Sequence, residues 1–383
     1  MGHLPKLIST AIMLLANLLP ATADILLTPS EIKQTIAFGP WPPETRPDPS
    51  NRFSGNPAAI DLGQRLFFDK GLSIDGSVSC ASCHDSEKHF SDGLDRAQGT
   101  QRLDRNTPSL WDVRFQRWFG WGGDTDNLWA QSMTPILSPE EMGHSFASLK
   151  TGIARGDYFS AYEAVFGAIK DQTSTEVTVN VGKALAAFQE TLVSDRTKFD
   201  DFRDALFRED LQAAREFPED AQRGLQIFIG HGRCVFCHSG PAFTNREFHD
   251  AGVPYFLEKG RVHPGRASGL DELLASPFTL AGKFSDDAEK TGAWAVRLVR
   301  RSHADFGIFR VPSLRGVAVT APYMHDGSLK TLREVVEHYN TIDIERLHTD
   351  GEAILRPLDL SEQDISDLIA FLETLGPTLA SDD

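Results

Sequence analysis

Apolar residues recur at intervals of three and four in several segments, and two of these segments have a counterpart later in the chain. Residues 62–69 (LGQRLFFD) resemble residues 223–230 (RGLQIFIG), and residues 184–192 (ALAAFQETL) resemble residues 367–375 (DLIAFLETL). This spacing predicts amphipathic helices, and similarity at matching places indicates an internal repeat. We therefore predict a mainly α-helical protein with little β-structure, formed by two related domains at residues 24–200 and 201–383.

The N-terminus has the pattern of a secretory signal. Lys6 precedes an apolar run from Leu7 to Leu19, and small residues follow at Ala21 and Ala23. This order predicts a signal peptide at residues 1–23 that is cleaved on export. The alternative is a membrane anchor, but the run is short for spanning a bilayer. We expect a periplasmic protein without a stable membrane anchor.

All four cysteines lie in two pentapeptides, CASCH at 80–84 and CVFCH at 234–238. In an exported protein they could form two disulfides or a zinc site. However, Cys-x-x-Cys-His is the attachment signature of c-type haem, in which the thiols form thioethers and the histidine binds iron. We therefore predict two covalently bound haem c groups in two cytochrome c-like domains. The attachment residues are Cys80, Cys83, Cys234 and Cys237, and the iron ligands are His84 and His238.

The repeat can be extended into the segments that follow each motif. "PSL" occurs at 108–110 and again at 312–314, so Pro108 aligns with Pro312. Twenty-seven residues further on, the first half has Pro135 and the second has Tyr339. A tyrosine phenolate can bind iron, whereas proline has no donor atom. Tyr339 is thus a candidate second ligand to the second haem, and the competing candidates are Met324, Met133 and His338.

A haem that only transfers electrons is served by two protein ligands, whereas a haem that reacts with peroxide needs an open position. The open site also needs a polar group that moves the peroxide protons. Gln131, Glu140 and Glu141 are candidates. A glutamate after Pro139 could equally be a helix N-terminal charge.

The charge of the chain limits its partners. With 54 acidic residues against 38 lysines and arginines, the formal net charge is −16. Because an acidic chain repels phosphate backbones, we expect no nucleic-acid partner.

Several motifs together resemble a known family, the bacterial di-haem cytochrome c peroxidases and their relative MauG. The similarity covers nearly all of the mature chain. Besides the two haem motifs, it rests on RNTPSL (105–110), PEEM (139–142), GPAFTNREFHDAG (240–252) and RVPSLRGVAVTAPYMHDGSL (310–329).

This resemblance implies roles for individual residues. Trp121 resembles the tryptophan that relays electrons between the haems, and Glu141 resembles the distal glutamate of the peroxide-binding haem, with Gln131 and Pro135 lining that pocket. A calcium ion between the domains is implied at Asn106 and at the backbone carbonyls of Thr320 and Pro322, where hard oxygen ligands suit that ion.

Two departures from the ordinary peroxidases indicate the branch. Those enzymes supply a loop histidine that closes the first haem, but no histidine lies between Phe90 and Met142. They also bind the second haem through methionine, where this chain aligns Tyr339. Both features resemble MauG and the methanobactin-associated MbnH.

The implied function is oxidation of tryptophan on an exported partner protein. Hydrogen peroxide would generate a high-valent, bis-Fe(IV)-like state, and the partner would be oxidised by long-range electron transfer. One alternative is a periplasmic cytochrome c peroxidase that reduces peroxide to water with electrons from a small redox protein. Another is an electron carrier with two closed haems.

Overall fold

The computed structural model describes residues 25–253, 260, 262–343 and 355–377. The predicted signal peptide, residues 1–23, lies outside these residues. None of the helices in the described ranges is both long and apolar enough to cross a membrane.

The described chain is mainly helical, as the sequence predicted, and its α-helices are numbered here in chain order. They are α1 (Pro29–Ile36), α2 (Pro57–Phe68), α3 (Cys80–Cys83), α4 (Leu128–Leu137), α5 (Phe146–Arg155), α6 (Phe159–Phe166), α7 (Ser174–Gln189), α8 (Lys198–Phe207), α9 (Leu211–Ala214), α10 (Glu219–Ile229), α11 (Arg266–Ala275), α12 (Trp294–Leu298), α13 (Leu332–Asn340) and α14 (Glu362–Glu373). The two strands, β1 (Phe248–His249) and β2 (Phe309–Arg310), pair antiparallel with Phe248 opposite Arg310.

Two large hydrophobic cores form around matching helix pairs. In the first core α7 packs against α2, α4 and α5, and in the second α14 packs against α10 and α13. The apolar faces predicted from the sequence are the buried ones: Leu62, Leu66 and Phe67 of α2 are fully buried. Capping boxes at Thr173, Thr331 and Ser361 start α7, α13 and α14, because each side chain satisfies a backbone N–H that has no partner within the helix.

One glycine in each half sets how closely the paired helices approach. A Cβ on Gly63 of α2 would lie 2.0 Å from the carbonyl oxygen of Ala184 in α7. A Cβ on Gly224 of α10 would lie 2.0 Å from the carbonyl oxygen of Asp367 in α14. These are the aligned positions of the repeat, so both halves use the same close helix crossing, which only glycine permits.

The segments after the two haem motifs also match. The Ser109 hydroxyl donates to the His89 carbonyl at 2.6 Å, and the Ser313 hydroxyl donates to the Ala242 carbonyl at 2.7 Å. Asp112 N–H donates to Leu192 O and Gly316 N–H donates to Leu375 O, both at 2.8 Å. In each half, the segment after the haem motif is therefore hydrogen-bonded to the aligned residue that follows the closing helix of that half, α7 or α14.

The N-terminal arm connects the two cores. Residues 38–50, which include five prolines, contain no regular helix or strand. Phe38 is buried in the second core and stacks on Phe243 at 4.8 Å, whereas Phe53 packs beside α7 in the first half. Between them the Trp41 ring lies under the Arg315 guanidinium, 3.5 Å from it.

A third, smaller core belongs to a segment that only the second half has. His84 and Pro108 are 24 residues apart, whereas His238 and Pro312 are 74 apart. The described part of this longer connection includes α11 and α12, which pack their buried residues against Trp118 of the first half. The insertion therefore rests on the boundary between the halves.

Candidate functional site

The two Cys-x-x-Cys-His motifs adopt the same backbone turn. His84 N–H donates to Cys80 O and His238 N–H donates to Cys234 O, both at 2.8 Å. The first turn is helix α3 and the second is the 3₁₀ turn Cys234–Phe236. In each motif, one helical turn therefore connects the first cysteine to the histidine.

Each motif histidine is held by a backbone carbonyl. His84 Nδ1 lies 3.1 Å from Phe90 O, and His238 Nδ1 lies 3.0 Å from Phe243 O. Nδ1 can only donate to a carbonyl oxygen, which leaves Nε2 unprotonated in the neutral ring, the form that binds a metal. Burial lowers the pKa of His84 and lowers that of His238 to about 4. Both rings are thus neutral and correctly oriented for a metal.

All four cysteines lie within the described residues, and no disulfide joins them there. Burial raises the pKa of Cys80 and Cys234 to about 12 and that of Cys83 and Cys237 to about 11. The four thiols and both motif histidines line one continuous cavity of about 1640 Å³. This exceeds the usual range for a single small-molecule site, roughly 300–1,000 Å³.

Glu141, Gln131 and Pro135 line this cavity together with His84. Gln131 and Pro135 lie on α4, and Gln131 Oε1 accepts a hydrogen bond from the Thr125 hydroxyl at 3.0 Å. Burial raises the pKa of Glu141, although a hydrogen bond from Ser138 opposes the shift. Gly99 allows its own backbone to lie close to that of Glu141, because a Cβ on Gly99 would lie 2.8 Å from Glu141 Cα. A carboxyl group with an elevated pKa is suited to exchange protons.

Tyr339, from the end of α13, lines the cavity with His238. Burial raises its pKa, with a smaller contribution from the Cys237 thiol. Of the competing candidates, Met324 also lines the cavity, whereas Met133 and His338 do not. Met133 packs against Gly182 of α7, and His338 Nε2 lies 2.8 Å from Ala251 O.

Trp121 and Asn106 lie between the two motifs and are hydrogen-bonded to each other. The indole N–H of Trp121 donates to Asn106 O at 2.8 Å, and Asn106 N–H donates to His325 O at 2.9 Å. Asn106 Nδ2 donates to Leu94 O at 2.8 Å, so Oδ1 is the acceptor atom of this amide. Thr320 and Pro322, the other two predicted calcium ligands, line the same cavity.

Sequence reasoning did not identify the arginines between the motifs. Arg105 and Arg310 line the cavity, and Arg310 is buried with its Nε donating to Gly120 O at 3.2 Å. Burial lowers the pKa of Arg310 to about 10, although the opposite charge of Asp124 acts against this shift. The sequence did contain a pattern that could have identified them, because each arginine lies two or three residues before the repeated "PSL".

These features fit two haem groups on three counts. The paired thiols and the oriented imidazole recur twice in one large cavity. Buried Arg310 and half-buried Arg105 would meet the carboxylates that haem carries, which would supply the counter-charge that a buried cation requires. Besides the two histidines, the cavity is lined by a carboxyl and an amide from the first half, Glu141 and Gln131, and by the phenol of Tyr339 from the second half.

Comparisons with known proteins agree with this geometry. Residues 57–205 match the model of a protein family described as di-haem cytochrome c peroxidase. The chain is 35% identical over 337 residues to the methylamine utilization protein MauG of Methylorubrum extorquens, covering 87% of this chain and 82% of that protein. It is 32% identical to a cytochrome-c peroxidase of Denitromonas iodatirespirans, covering 84% and 83% of the two chains.

A solved structure shares the architecture. It is a MauG-like protein associated with microbial copper homeostasis, 27% identical in sequence, with a TM-score of 0.65. The superposition covers 90% of this chain and 98% of the other. The match therefore includes both halves.

Proposed function

Because the chain belongs to the di-haem cytochrome c peroxidase family, whose members are enzymes that act on peroxide, we propose that it uses hydrogen peroxide to oxidise tryptophan side chains on an exported, periplasmic partner protein. The single observation behind this proposal is that one cavity is lined by both motif histidines and by different candidate groups from the two halves, Glu141 and Gln131 from the first and Tyr339 from the second. When bound, the two haems would reduce peroxide and hold the oxidising equivalents until the partner supplies electrons.

The first site would be the one that receives peroxide. His84 would hold the iron on one side, and Glu141, Gln131 and Pro135, which line the same cavity, would face the other side. In the described chain, the histidines nearest to these three residues in sequence are His89 and His144, and neither lines the cavity. Glu141 would take the peroxide proton and return it to the departing oxygen, which requires a carboxyl that can exchange protons near neutral pH.

The second site would be closed by Tyr339. A phenol with a raised pKa keeps its proton in the absence of metal, so binding of ferric iron would have to displace that proton. An anionic tyrosinate donates charge and favours the oxidised iron. Tyr339 lines the cavity and belongs to the same half of the chain as His238, which supports this assignment, and Met324 is the remaining candidate.

Trp121 would carry electrons between the two sites. It is buried, lies in the cavity wall between the motifs, and has its indole N–H fixed by Asn106. A fixed aromatic ring needs little rearrangement when it loses or gains an electron.

Calcium would bind between the halves through neutral oxygens. Residues 25–253, 262–343 and 355–377 contain no cluster of three or more His, Cys, Asp or Glu side chains that could hold a metal ion. Asn106 Oδ1 and the carbonyls of Thr320 and Pro322 would therefore act with water, and such an uncharged set binds calcium more weakly than carboxylates do.

A second candidate is a peroxidase supplied with electrons by a small redox protein, which the 32% identity to a cytochrome-c peroxidase favours. The two functions differ in the state that accepts peroxide. We expect the fully oxidised protein to consume one equivalent of peroxide without prior reduction, and then to add oxygen to a tryptophan of an exported partner, detected by mass. A requirement for one-electron reduction before peroxide reacts would support the second candidate instead.

A further inference from the structure

Helix α12 places two large apolar side chains in solvent. Trp294 is 57% exposed and Leu298 is 70% exposed. They are four residues apart, so they lie on the same side of the helix. Ala293, Ala295 and Val296 are buried in the third core with Trp118, which fixes the position of α12. Because scattered apolar side chains are common on protein surfaces, such a pair marks an interaction site only where a second feature accompanies it.

The surroundings of this pair are basic, although the protein is acidic. From Lys290 to His303 the chain has no acidic residue, while Arg297, Arg300 and Arg301 follow within eight residues of Trp294. The acidic side chains Glu289 and Asp305 flank this stretch. One of the arginines, Arg301, pairs with exposed Asp271 at 3.3 Å. Trp and Arg are the residues most enriched at the energetic centres of protein interfaces.

A series of stacked groups connects α12 to the cavity wall. The Arg117 guanidinium lies 4.4 Å from the Trp294 ring and 5.2 Å from the Trp118 ring. Trp118 lies 6.2 Å from Phe248, which lines the cavity. Arg117 is paired with Glu247 at 2.9 Å, which limits how strongly its charge opposes oxidation of the two rings.

We propose that Trp294, Leu298, Arg297, Arg300 and Arg301, together called the α12 face, dock an acidic exported protein, and that Trp294 is where its electrons enter. The inference rests on the proposed function, because it identifies the partner surface for that reaction. Peroxide takes up two electrons and two protons and becomes two molecules of water. Each electron leaves a tryptophan of the partner and passes through Trp294 and Trp118 to the cavity. The tryptophan that has lost two electrons takes up one oxygen atom from water and releases two protons, which balance the two that peroxide consumes. Charge complementarity selects an acidic partner, since the basic residues of the α12 face attract it.

Binding is measured first, with two synthetic peptides as probes. Each carries one tryptophan, flanked by glutamates in one peptide and by lysines in the other. We expect the holoprotein to bind the glutamate peptide at least tenfold more tightly at low salt, with the difference shrinking as salt is added. Arg297→Glu with Arg300→Glu, and separately Trp294→Ala with Leu298→Ala, should each weaken this binding at least tenfold.

The matched control is Phe207→Ala with Leu211→Ala, which removes an apolar pair of similar exposure on α8 and α9. This control should change binding less than twofold. Two results would contradict docking at the α12 face: equal binding of the two peptides by the wild type, or a loss of binding in the control as large as in the α12 variants. Concentration-dependent self-association that Leu298→Ala abolishes would assign the face to a second copy of this chain and would also overturn it.

Oxidation of the bound peptide separates this inference from the proposed function. Trp294→Phe should keep glutamate-peptide binding but lower the peroxide-dependent mass gain of the peptide at least fivefold. If the wild-type protein binds the peptide selectively and never adds oxygen, the proposed oxidation fails and the docking face stands. If the peptide is oxidised equally by the wild type and all variants, the proposed role of the α12 face is wrong and the proposed oxidation stands.

Discussion

The rings of Trp121 and His325 meet edge to face with their centroids 6.4 Å apart. The two residues occupy the same position of the internal repeat, thirteen residues after Pro108 and Pro312. The two halves therefore meet through equivalent positions, each carrying a different side chain. Trp121 lines the cavity between the motifs, and His325 stacks on Phe309 at 3.6 Å.

Replacing Trp121 with phenylalanine should uncouple the two sites. The variant loses the indole N–H that holds Asn106 O, at a cost of about 1–3 kcal/mol, but the haem attachment residues are untouched. We expect peroxide consumption within twofold of wild type and at least a tenfold fall in oxidation of a protein partner. Trp129→Phe is the control, because Trp129 is buried and hydrogen-bonded to Ser50 but does not line the cavity. Equal losses in both variants would contradict a relay role.

Replacing Glu141 with glutamine should slow the reaction with peroxide and leave haem content unchanged. Glutamine preserves the size of the side chain but cannot take up and return a proton, a function worth about 10²–10⁴ in rate. Stopped-flow mixing with peroxide gives the rate constant, and the absorbance of the haem gives the content. Glu140→Gln, one residue away, is the control. A Glu141→Gln rate within threefold of wild type would remove Glu141 from the reaction.

Glu190, outside the haem motifs, should make stability depend on pH. Its carboxyl is buried next to α7 and bonded by the Ser54 hydroxyl, and burial raises its pKa to about 7. Within the described chain Oε1 has no hydrogen-bond partner. Because the unfolded chain releases this proton near the ordinary value of 4.5, the contribution of protonated Glu190 to stability is fully present below that pH. This contribution is then lost as pH rises to about 7, at a cost of about 3 kcal/mol.

Chemical unfolding of the wild type and Glu190→Gln across this pH range provides the measurement. Glutamine cannot ionise, so the difference in unfolding free energy between the two proteins should change between pH 4.5 and 7.5 and then level off. A difference that is constant with pH would show that Glu190 keeps an ordinary pKa.

Gly63→Ala should destabilise the first half. The added Cβ would collide with the carbonyl of Ala184, and the helices would have to separate, at a cost of about 1–3 kcal/mol or more. Gly152→Ala in α5 is the matched control: its Cβ would meet nothing within 4 Å, so better helix propensity should stabilise it by up to about 1 kcal/mol. Thermal unfolding compares them, and similar shifts in both variants would contradict the close crossing.

Much of this architecture was predictable because it repeats. The helices at 62–69 and 184–192, and their counterparts, were identified from apolar spacing, and the structure confirms them as α2, α7, α10 and α14. The repeat also singled out Tyr339, which lines the cavity as its aligned residue Pro135 does, and its role as an iron ligand stays a prediction. The same apolar spacing at two aligned places supports the prediction of a helix at both, and a pattern that occurs once lacks this support.

Other features could not be predicted, for physical reasons. The insertion that carries α11 and α12 has no copy in the first half, so no alignment locates it beside Trp118. The arm crosses from Phe38 in the second core to Phe53 beside α7, a path set by tertiary packing rather than by local pattern. The buried position of Arg310 depends on the closure of the two halves around the cavity.

The central claim is that the first site is open and the second is closed by Tyr339, and electron paramagnetic resonance of the fully oxidised holoprotein tests it most directly. The account predicts one high-spin ferric signal, from the site of His84, and one low-spin signal, from the site of His238. Tyr339→Phe should alter the low-spin signal alone. Two low-spin signals in the wild type, or a change of the high-spin signal in Tyr339→Phe, would contradict the account.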